Sequence, residues 1–575
     1  MKRCMLTLLA TCCVCLPLAA EARAAGPDEL LQAAPADAWG LVSVRNLAEL
    51  DKKIMNLGQM TNAPIPFSPL AMGKGFLGLL MGINDNGGAA LVLMPAETPD
   101  AQRENMAFLI PTTNYTELLS LLEPEEVEAG MSKVLLAGNS SYIAQKGNYA
   151  VAGPTPEIVK AVLASKTGLA GRMTPYQVKR WASDDITVWI NMEAFTAGGT
   201  FGMLNGMAQS AGMDLQLLTE FKSVQLSMRV GPEGIGLGMY TDCKPGTDMA
   251  KALASVKPPS GSMLTGLPGE SLVFAYGQAG SKENSAFAAQ FVDKMMTTVP
   301  VPETAQPSLG KMRATLGKMV SNLRSMAFGV NGVAEGADGL CTVTMVIGVD
   351  GEAGDFLASV GELVEAAPGL APEDKAAELA ETLAYKAKAE EGNVDHLTIN
   401  PAAMGASEED LASLTQVLGA DGLLLRLLAV DAQHVAITLG GGAAHMAQVA
   451  ALVRGNKAPL TDHAQIKAAA ATLPSGRTSE GYVLANGLFD LIAGVAKADG
   501  QEIGMQMPPV EKPVTFCAHP TEGAGIQWDM LVPSELLKAA SQMAMSGMGG
   551  GPSGGGGADE GTGDPEGTGD PEAGT

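Results

Sequence analysis

One phrase recurs along this chain and limits what it can fold into: two β-rich runs across a glycine-rich turn, followed by a helical run. It stands at Val224–Ala254, where VQLSMRV and IGLGMY flank GPEG, and at Met326–Leu363, where GVAEGADG separates MAFGVN from LCTVTMVIGV. It returns at Val514–Ala544, and Tyr142–Ala164 and Leu424–Val453 have the same form. Two runs joined by a short turn pair antiparallel, and the helix that follows must cover them. A companion phrase places a turn before a short β run and a helix. Examples are Ala34-Pro35 into Trp39–Val44, Leu267-Pro268 into Ser271–Tyr276, and Leu473-Pro474 into Gly481–Ala485. Asp185–Asn191 and Val394–Asn400 fill the same slot without the proline.

The combined unit, βαββα, occurs five or six times at spacings of roughly 60–110 residues, longer than the repeats of a solenoid. The expected fold class is therefore α+β: duplicated βαββα units forming mainly antiparallel sheets, with helices on one face. Helix starts agree with this reading. Asn114-x-x-Glu117 and Ser407-x-x-Asp410 have capping-box form, and Thr155-Pro156-Glu157 opens another helix. Joints are expected at Lys257–Gly261 and at Asn456–Pro459. They divide the chain into a first α+β domain at 26–258, a second at 259–458 and a half-size unit at 459–546.

The two ends read differently. Lys2 and Arg3 precede an apolar stretch from Met5 to Ala20, and Ala22-Arg23-Ala24 supplies a small-x-small cleavage pattern. Residues 1–24 have the form of a secretory signal peptide, too short and too broken for a comfortable membrane span. The rival is a lipoprotein signal, but Thr11 stands before Cys12 where a small residue is wanted. The chain is expected to be exported, to the periplasm, cell envelope or exterior, with no transmembrane segment after the signal. After Met548 the sequence becomes GGGPSGGGG and then repeats GTGDPE, so 547–575 reads as a disordered Gly/acidic tail.

Charge excludes some partners. With 62 acidic against 37 basic residues the formal charge is −25, and most of it lies in the body. A nucleic acid or an anionic membrane needs basic patches, so neither is an expected partner.

Candidate chemistry is sparse. The five histidines, His396, His434, His445, His463 and His519, all lie in the last third and show no metal-ligand spacing. His434 and His445 flank one turn and could approach each other. The glycine corner Gly440–Gly442 between a strand and a helix has the outline of a phosphate nest, but lacks GxGxxG order and a GK[ST] ending. Its counterpart in the first half is Gly153-Pro154-Thr155-Pro156, which reads as a connector. No GxSxG occurs, and the acidic pairs Asp184-Asp185, Glu125-Glu126 and Glu408-Glu409 are expected to point apart into solvent. No catalytic residue, metal ligand or cofactor is assigned. Of seven cysteines only Cys243, Cys341 and Cys517 lie beyond the signal, and they are expected to be small buried hydrophobes.

Methionine is the unusual apolar residue, with 32 copies. It gathers with glycine in Gly75–Ile83, Thr200–Met213 and Asp293–Met326. Such segments suit either a soft core or an adaptable surface for a hydrophobic ligand, peptide or partner helix. The candidate surface residues are Phe76, Leu79, Met81, Met203, Met207 and Met213.

The phrases PADAWGLVSVRNLAEL, AFLIPTTNYTELLSLL and YIAQKGNYAVAGPTPEIVKAVLA resemble uncharacterised secreted bacterial proteins of planctomycete type, over about residues 30–260. That resemblance implies an exported α+β protein without known catalytic residues. The leading expectation is a non-enzymatic cell-envelope or periplasmic protein that binds or scaffolds. A periplasmic carrier of a hydrophobic ligand is the second reading, and an enzyme using unrecognised acidic residues the third. A large apolar cavity beneath the Gly/Met helices would favour the carrier, and converging carboxylates would favour the enzyme.

Overall fold

The computed structural model describes residues 27–549, apart from 64, 97–100, 102–103, 211–214, 299–300, 333–338, 499 and 502–505. The first ten strands are β1 (Gly40–Val44), β2 (Ala89–Leu93), β3 (Met106–Pro111), β4 (Glu125–Glu128), β5 (Met131–Leu136), β6 (Asn139–Lys146), β7 (Tyr149–Gly153), β8 (Ile186–Asn191), β9 (Phe221–Gly231) and β10 (Gly234–Cys243). The next ten are β11 (Leu272–Ala279), β12 (Leu323–Gly332), β13 (Cys341–Val349), β14 (Leu383–Glu390), β15 (Val394–Ile399), β16 (Leu424–Ala429), β17 (His434–Leu439), β18 (Ser479–Val483), β19 (Val514–Pro520) and β20 (Gly525–Pro533).

Every hairpin read from the sequence is formed: β6–β7, β9–β10, β12–β13, β16–β17 and β19–β20 all pair antiparallel, and each is followed by a helix. Their arrangement has a regularity that the phrases alone do not reveal. Across the first half the strand order is β4-β5-β6-β7-β3-β2-β1-β8-β9-β10. Across the second half it is β14-β15-β16-β17-β13-β12-β11-β18-β19-β20, the same order position for position. The last strands of the halves, β10 and β20, pair antiparallel from Gly234 opposite Pro533 to Asp242 opposite Gly525. One 20-stranded antiparallel sheet results.

The helices reciprocate across this junction. Asp248–Ser255, which closes the first half, packs on Lys282–Thr298 of the second. Ser534–Gly549, which closes the second half, packs on Leu47–Met60 of the first. The expected joint at Lys257–Gly261 lies between the halves and is exposed. The one at Asn456–Pro459 lies within the second half, between β11 and β18, which pair directly.

The α+β class and the antiparallel pairing stand, but helices cover both faces rather than one. In β7, Tyr149 and Val151 join a core with Ile158, Val159 and Trp181 from the helices Pro156–Ala164 and Pro175–Ser183. Ala150 and Ala152, pointing the other way, join Leu47, Leu70 and Leu118 from three other helices. The second half repeats this: Ala436 packs with Met446 and Val449, and its neighbour Val435 with Leu357. Strands such as YAVAG carry no polar face, so both sides must be shielded from water.

Local signals behave as read. Asn114 accepts the Glu117 amide, and Ser407 and Asp410 form a reciprocal capping box. The closing helix Ser534–Gly549 runs past Ser546, while residues 550–575 and the signal segment 1–24 lie outside the described residues.

Candidate functional site

The helix Pro69–Leu77 is apolar on nearly every side, and its placement defines an apolar cleft in the first half. Ser68 caps it by accepting the Ala71 amide at 3.0 Å, and Pro69 opens the first turn. The same Ser68 hydroxyl donates to Asp51 at 2.8 Å, and the Asp51 carboxylate also accepts the Leu70 amide at 3.0 Å. Asp51 belongs to Leu47–Met60, so the two helices are tied at their ends. Gly78 closes the helix in the left-handed region, at φ 70°. In the following turn Gly82 also has positive φ, and a Cβ there would lie 2.5 Å from the Asn114 carbonyl and the Leu118 amide nitrogen. Only glycine lets this turn lie flat on the next helix.

Leu70, Gly73, Lys74 and Leu77 follow the spacing of one helix face and point inward. Beneath them is a narrow cleft with a cavity volume of ≈ 70 Å³. Val42 and Val44 of β1, Leu91 of β2, and Phe108 and Ile110 of β3 form its floor, with Leu47, Leu77, Leu79 and Ile83 around it. Its volume is below the roughly 300–1,000 Å³ of ordinary small-molecule sites, so the cleft takes a short apolar segment and leaves the rest of a ligand outside its mouth. Ser43 and Lys74 are its polar lining residues, and Lys74 is the charged one.

Lys74 is 2 % exposed, and its ammonium nitrogen has no hydrogen-bond partner. Burial disfavours the charged form and pushes its pKa down to about 8, against the opposing pull of the Asp85 carboxylate. The cleft thus joins a hydrocarbon-like wall to one unsatisfied cation.

The six residues expected to form a hydrophobic surface are not brought to one place. Leu79 lines the cleft and is 3 % exposed. Phe76 and Met81 flank it on the solvent side, at 66 % and 44 % exposure. Met203 and Met207 lie on the separate helix Gly199–Ser210, facing solvent. That helix is anchored through Phe201, whose ring meets Phe195 edge-on at 5.9 Å, and Phe195 in turn meets Trp39 at 5.7 Å. Met213 lies outside the described residues. Lys74 was missed because one lysine in an apolar run reads as a solvated interruption. The signal available was its spacing, four residues after Leu70 and three before Leu77.

Elsewhere the candidate groups are occupied structurally. Asp184 and Asp185 do not point into solvent: both are buried. Arg180 bonds Asp184 at 3.0 Å, and Lys53 bonds Asp185 at 2.8 Å. These carboxylates fasten helices to β8 and β9, because cations from packed helices reach them before water does. Glu125, Glu126, Glu408 and Glu409 are exposed, as read. The larger cleft of ≈ 520 Å³ at the junction of the halves is lined by Lys53, Arg180, Arg229, Glu233 and Asp529, among others. Most of those charges are spent on ion pairs among the described residues, Arg229 excepted: Arg180 also reaches Asp529 at 3.2 Å, and Glu233 pairs with Lys512.

His434 pairs with Asp431, while His445 is buried and shares a 2.8 Å hydrogen bond with Thr344. Burial lowers the pKa of His445. The glycine corner Gly440–Gly442 has three successive left-handed residues, and a Cβ at Gly440 would approach the Cys341 carbonyl to 2.6 Å. Packing against a neighbouring strand accounts for it. Cys243, Cys341 and Cys517 are free and buried. Among the described residues no cluster of His, Cys, Asp and Glu could hold a metal ion, and no helix is long and apolar enough to cross a membrane.

No protein-family model matches the chain, and no curated protein matches it. Among solved structures it is similar to TP0453, a Treponema protein, in several crystal forms. Crystal form IV aligns at 6 % identity and a TM-score of 0.23, over 37 % of this chain and 79 % of that one. Crystal form III aligns at 8 % identity and a TM-score of 0.23, over 49 % of this chain and all of that one. Likeness at this level identifies neither a family nor a function.

Proposed function

We propose that this chain is an exported, non-enzymatic binding protein that holds a hydrophobic ligand in the cleft beneath the helix Pro69–Leu77. The observation that carries the reading is the cleft itself: a near-continuous apolar wall of Val42, Val44, Leu77, Leu79, Phe108 and Ile110 that opens to solvent. Apolar surface left in contact with water is a driving force for binding any apolar group that fits. The reading of a signal peptide at residues 1–24 supports export, and the internal pairing of Asp184, Asp185 and Asp529 argues against carboxylate catalysis. A scaffold role is the second reading. It is favoured by Phe67, Met72 and Phe76, which stand 65 %, 61 % and 66 % exposed on the outer side of the same helical segment.

The test is a titration with N-phenyl-1-naphthylamine, an uncharged apolar fluorophore. The wild-type chain should bind it saturably with a blue-shifted emission, and Ala89→Phe, which fills the cleft from β2, should lose that binding while keeping its circular dichroism. An absence of saturable binding in the wild type removes the ligand-holding function and leaves scaffolding.

A further inference from the structure

We infer that the ligand of this cleft is an amphiphile with a single carboxylate head, held by the Lys74 ammonium with its apolar chain along the β1–β2–β3 floor. This inference rests on the proposed ligand-holding function and names its chemical class.

A lysine nine-tenths buried among Val, Leu, Ile and Phe side chains is costly, because its charge loses water without gaining a donor–acceptor partner. Most buried lysines are paired, as Lys53 is by Asp185 and Glu49 elsewhere in this chain. Lys146, also drawn inward, donates to the carbonyls of Ala33, Val162 and Ser165. Lys74 has neither kind of partner. A neutral lipid would bury the ammonium further and leave it unsatisfied. An anionic oxygen would satisfy it through a charge-assisted hydrogen bond in a low-dielectric wall, where such a bond is strongest.

The number of charges on the head is limited as well. Lys74 is the charged residue of the lining, so a second negative charge would find no cation. The Asp85 carboxylate, which acts on Lys74 through space, would repel it. With Asp85 already acting as a distant counter-charge, one negative charge drawn in by a direct hydrogen bond to Lys74 is the most the cleft accepts, and a phosphate monoester or diphosphate exceeds it. Ser43, although it lies along the lining, turns its hydroxyl to the Thr187 carbonyl, so Lys74 is the polar side chain of the cleft. The rest of the lining is hydrocarbon, which suits part of a single acyl chain, the remainder extending through the open mouth.

The experiment compares dodecanoate with dodecan-1-ol, which have equal chain length and differ in the head, by isothermal titration of the full chain. The wild type should prefer dodecanoate by about tenfold or more, the worth of one charge-assisted hydrogen bond. Lys74→Met should bring the two affinities together or reverse their order while still binding the alcohol. Equal wild-type affinities, or an unchanged preference in Lys74→Met, overturn the carboxylate assignment and leave the ligand-holding function standing. Saturable binding of neither compound overturns that function itself. The wild-type comparison decides the matter even if the variant does not fold.

Discussion

Lys53 donates to Asp185 at 2.8 Å although 132 residues separate them, and the other Asp185 oxygen accepts the Val230 amide at 2.9 Å. One buried carboxylate thereby joins the helix Leu47–Met60 to the start of β8 and the end of β9. Arg45 approaches the same carboxylate at 3.5 Å. Asp185→Asn keeps the shape and removes the charge, leaving Lys53 and Arg45, both half-buried, to share Glu49 as their remaining anionic partner. The expected cost is about 2–3 kcal/mol, below the figure for a fully buried pair because Lys53 and Arg45 keep some contact with water. Urea unfolding of the two proteins measures it, and a difference below experimental error would show the carboxylate to be dispensable.

Lys74→Met should stabilise the ligand-free protein. The lysine pKa falls from 10.5 to about 8 on folding, so between those values the folded chain binds fewer protons than the unfolded one. Stability therefore rises with pH through that window, and the full penalty is present below it. Removing the ammonium should gain about 2–3 kcal/mol at neutral pH and flatten the dependence on the alkaline side. Thermal melts of both proteins at neutral and alkaline pH read this directly. A destabilised Met variant would mean that Lys74 has a partner in solution.

Two histidines, His445 buried and His519 half-buried, should set the first step of acid destabilisation. Burial holds His445 and His519 below the ordinary value of 6.5, with smaller opposing contributions from Gln448 at His445 and from Asp529 at His519. Nearby Arg180 adds to the lowering at His519. Each is kept neutral in the fold while the unfolded chain takes up a proton. Their contribution is whole above 6.5 and is lost as the pH falls below that value. Melting temperature should drop between about pH 7.5 and about pH 5.5, and the His445→Gln, His519→Gln double variant should show a shallower drop. An unchanged slope would assign the acid sensitivity to other groups.

Cutting the chain between its halves should leave them together. Lys257–Gly261 is exposed, whereas β10 and β20 share a nine-residue ladder from Gly234–Pro533 to Asp242–Gly525. The reciprocal helix packing reinforces it. A protease site introduced at Pro259–Ser260 and then cleaved should give two fragments under denaturing conditions and one particle by native mass spectrometry. Separation of the fragments would show that the ladder is weaker than its length implies.

Much of the local structure was legible in the residues themselves. VQLSMRV–GPEG–IGLGMY could only become a hairpin, since its β-branched and long apolar residues alternate about a glycine turn, and β9–β10 is that hairpin. Asn114 and Ser407 announced their helices through hydrogen bonds that span three residues. Such features depend on neighbours in the chain, so the sequence by itself determined them, together with the antiparallel α+β class and the acidic surface. The tertiary structure alone decided the rest. The identical strand order of the halves depends on which strand lies beside β1 or β11, and β8 and β18 arrive there from more than a hundred residues away. Asp185 became an internal anchor only because Lys53 and Arg45 fold over it. Lys74 became the one cation of an apolar cleft only because β1, β2 and β3 were brought beneath its helix. Burial is a property of what surrounds a residue in space, and for these side chains the surroundings come from distant parts of the chain.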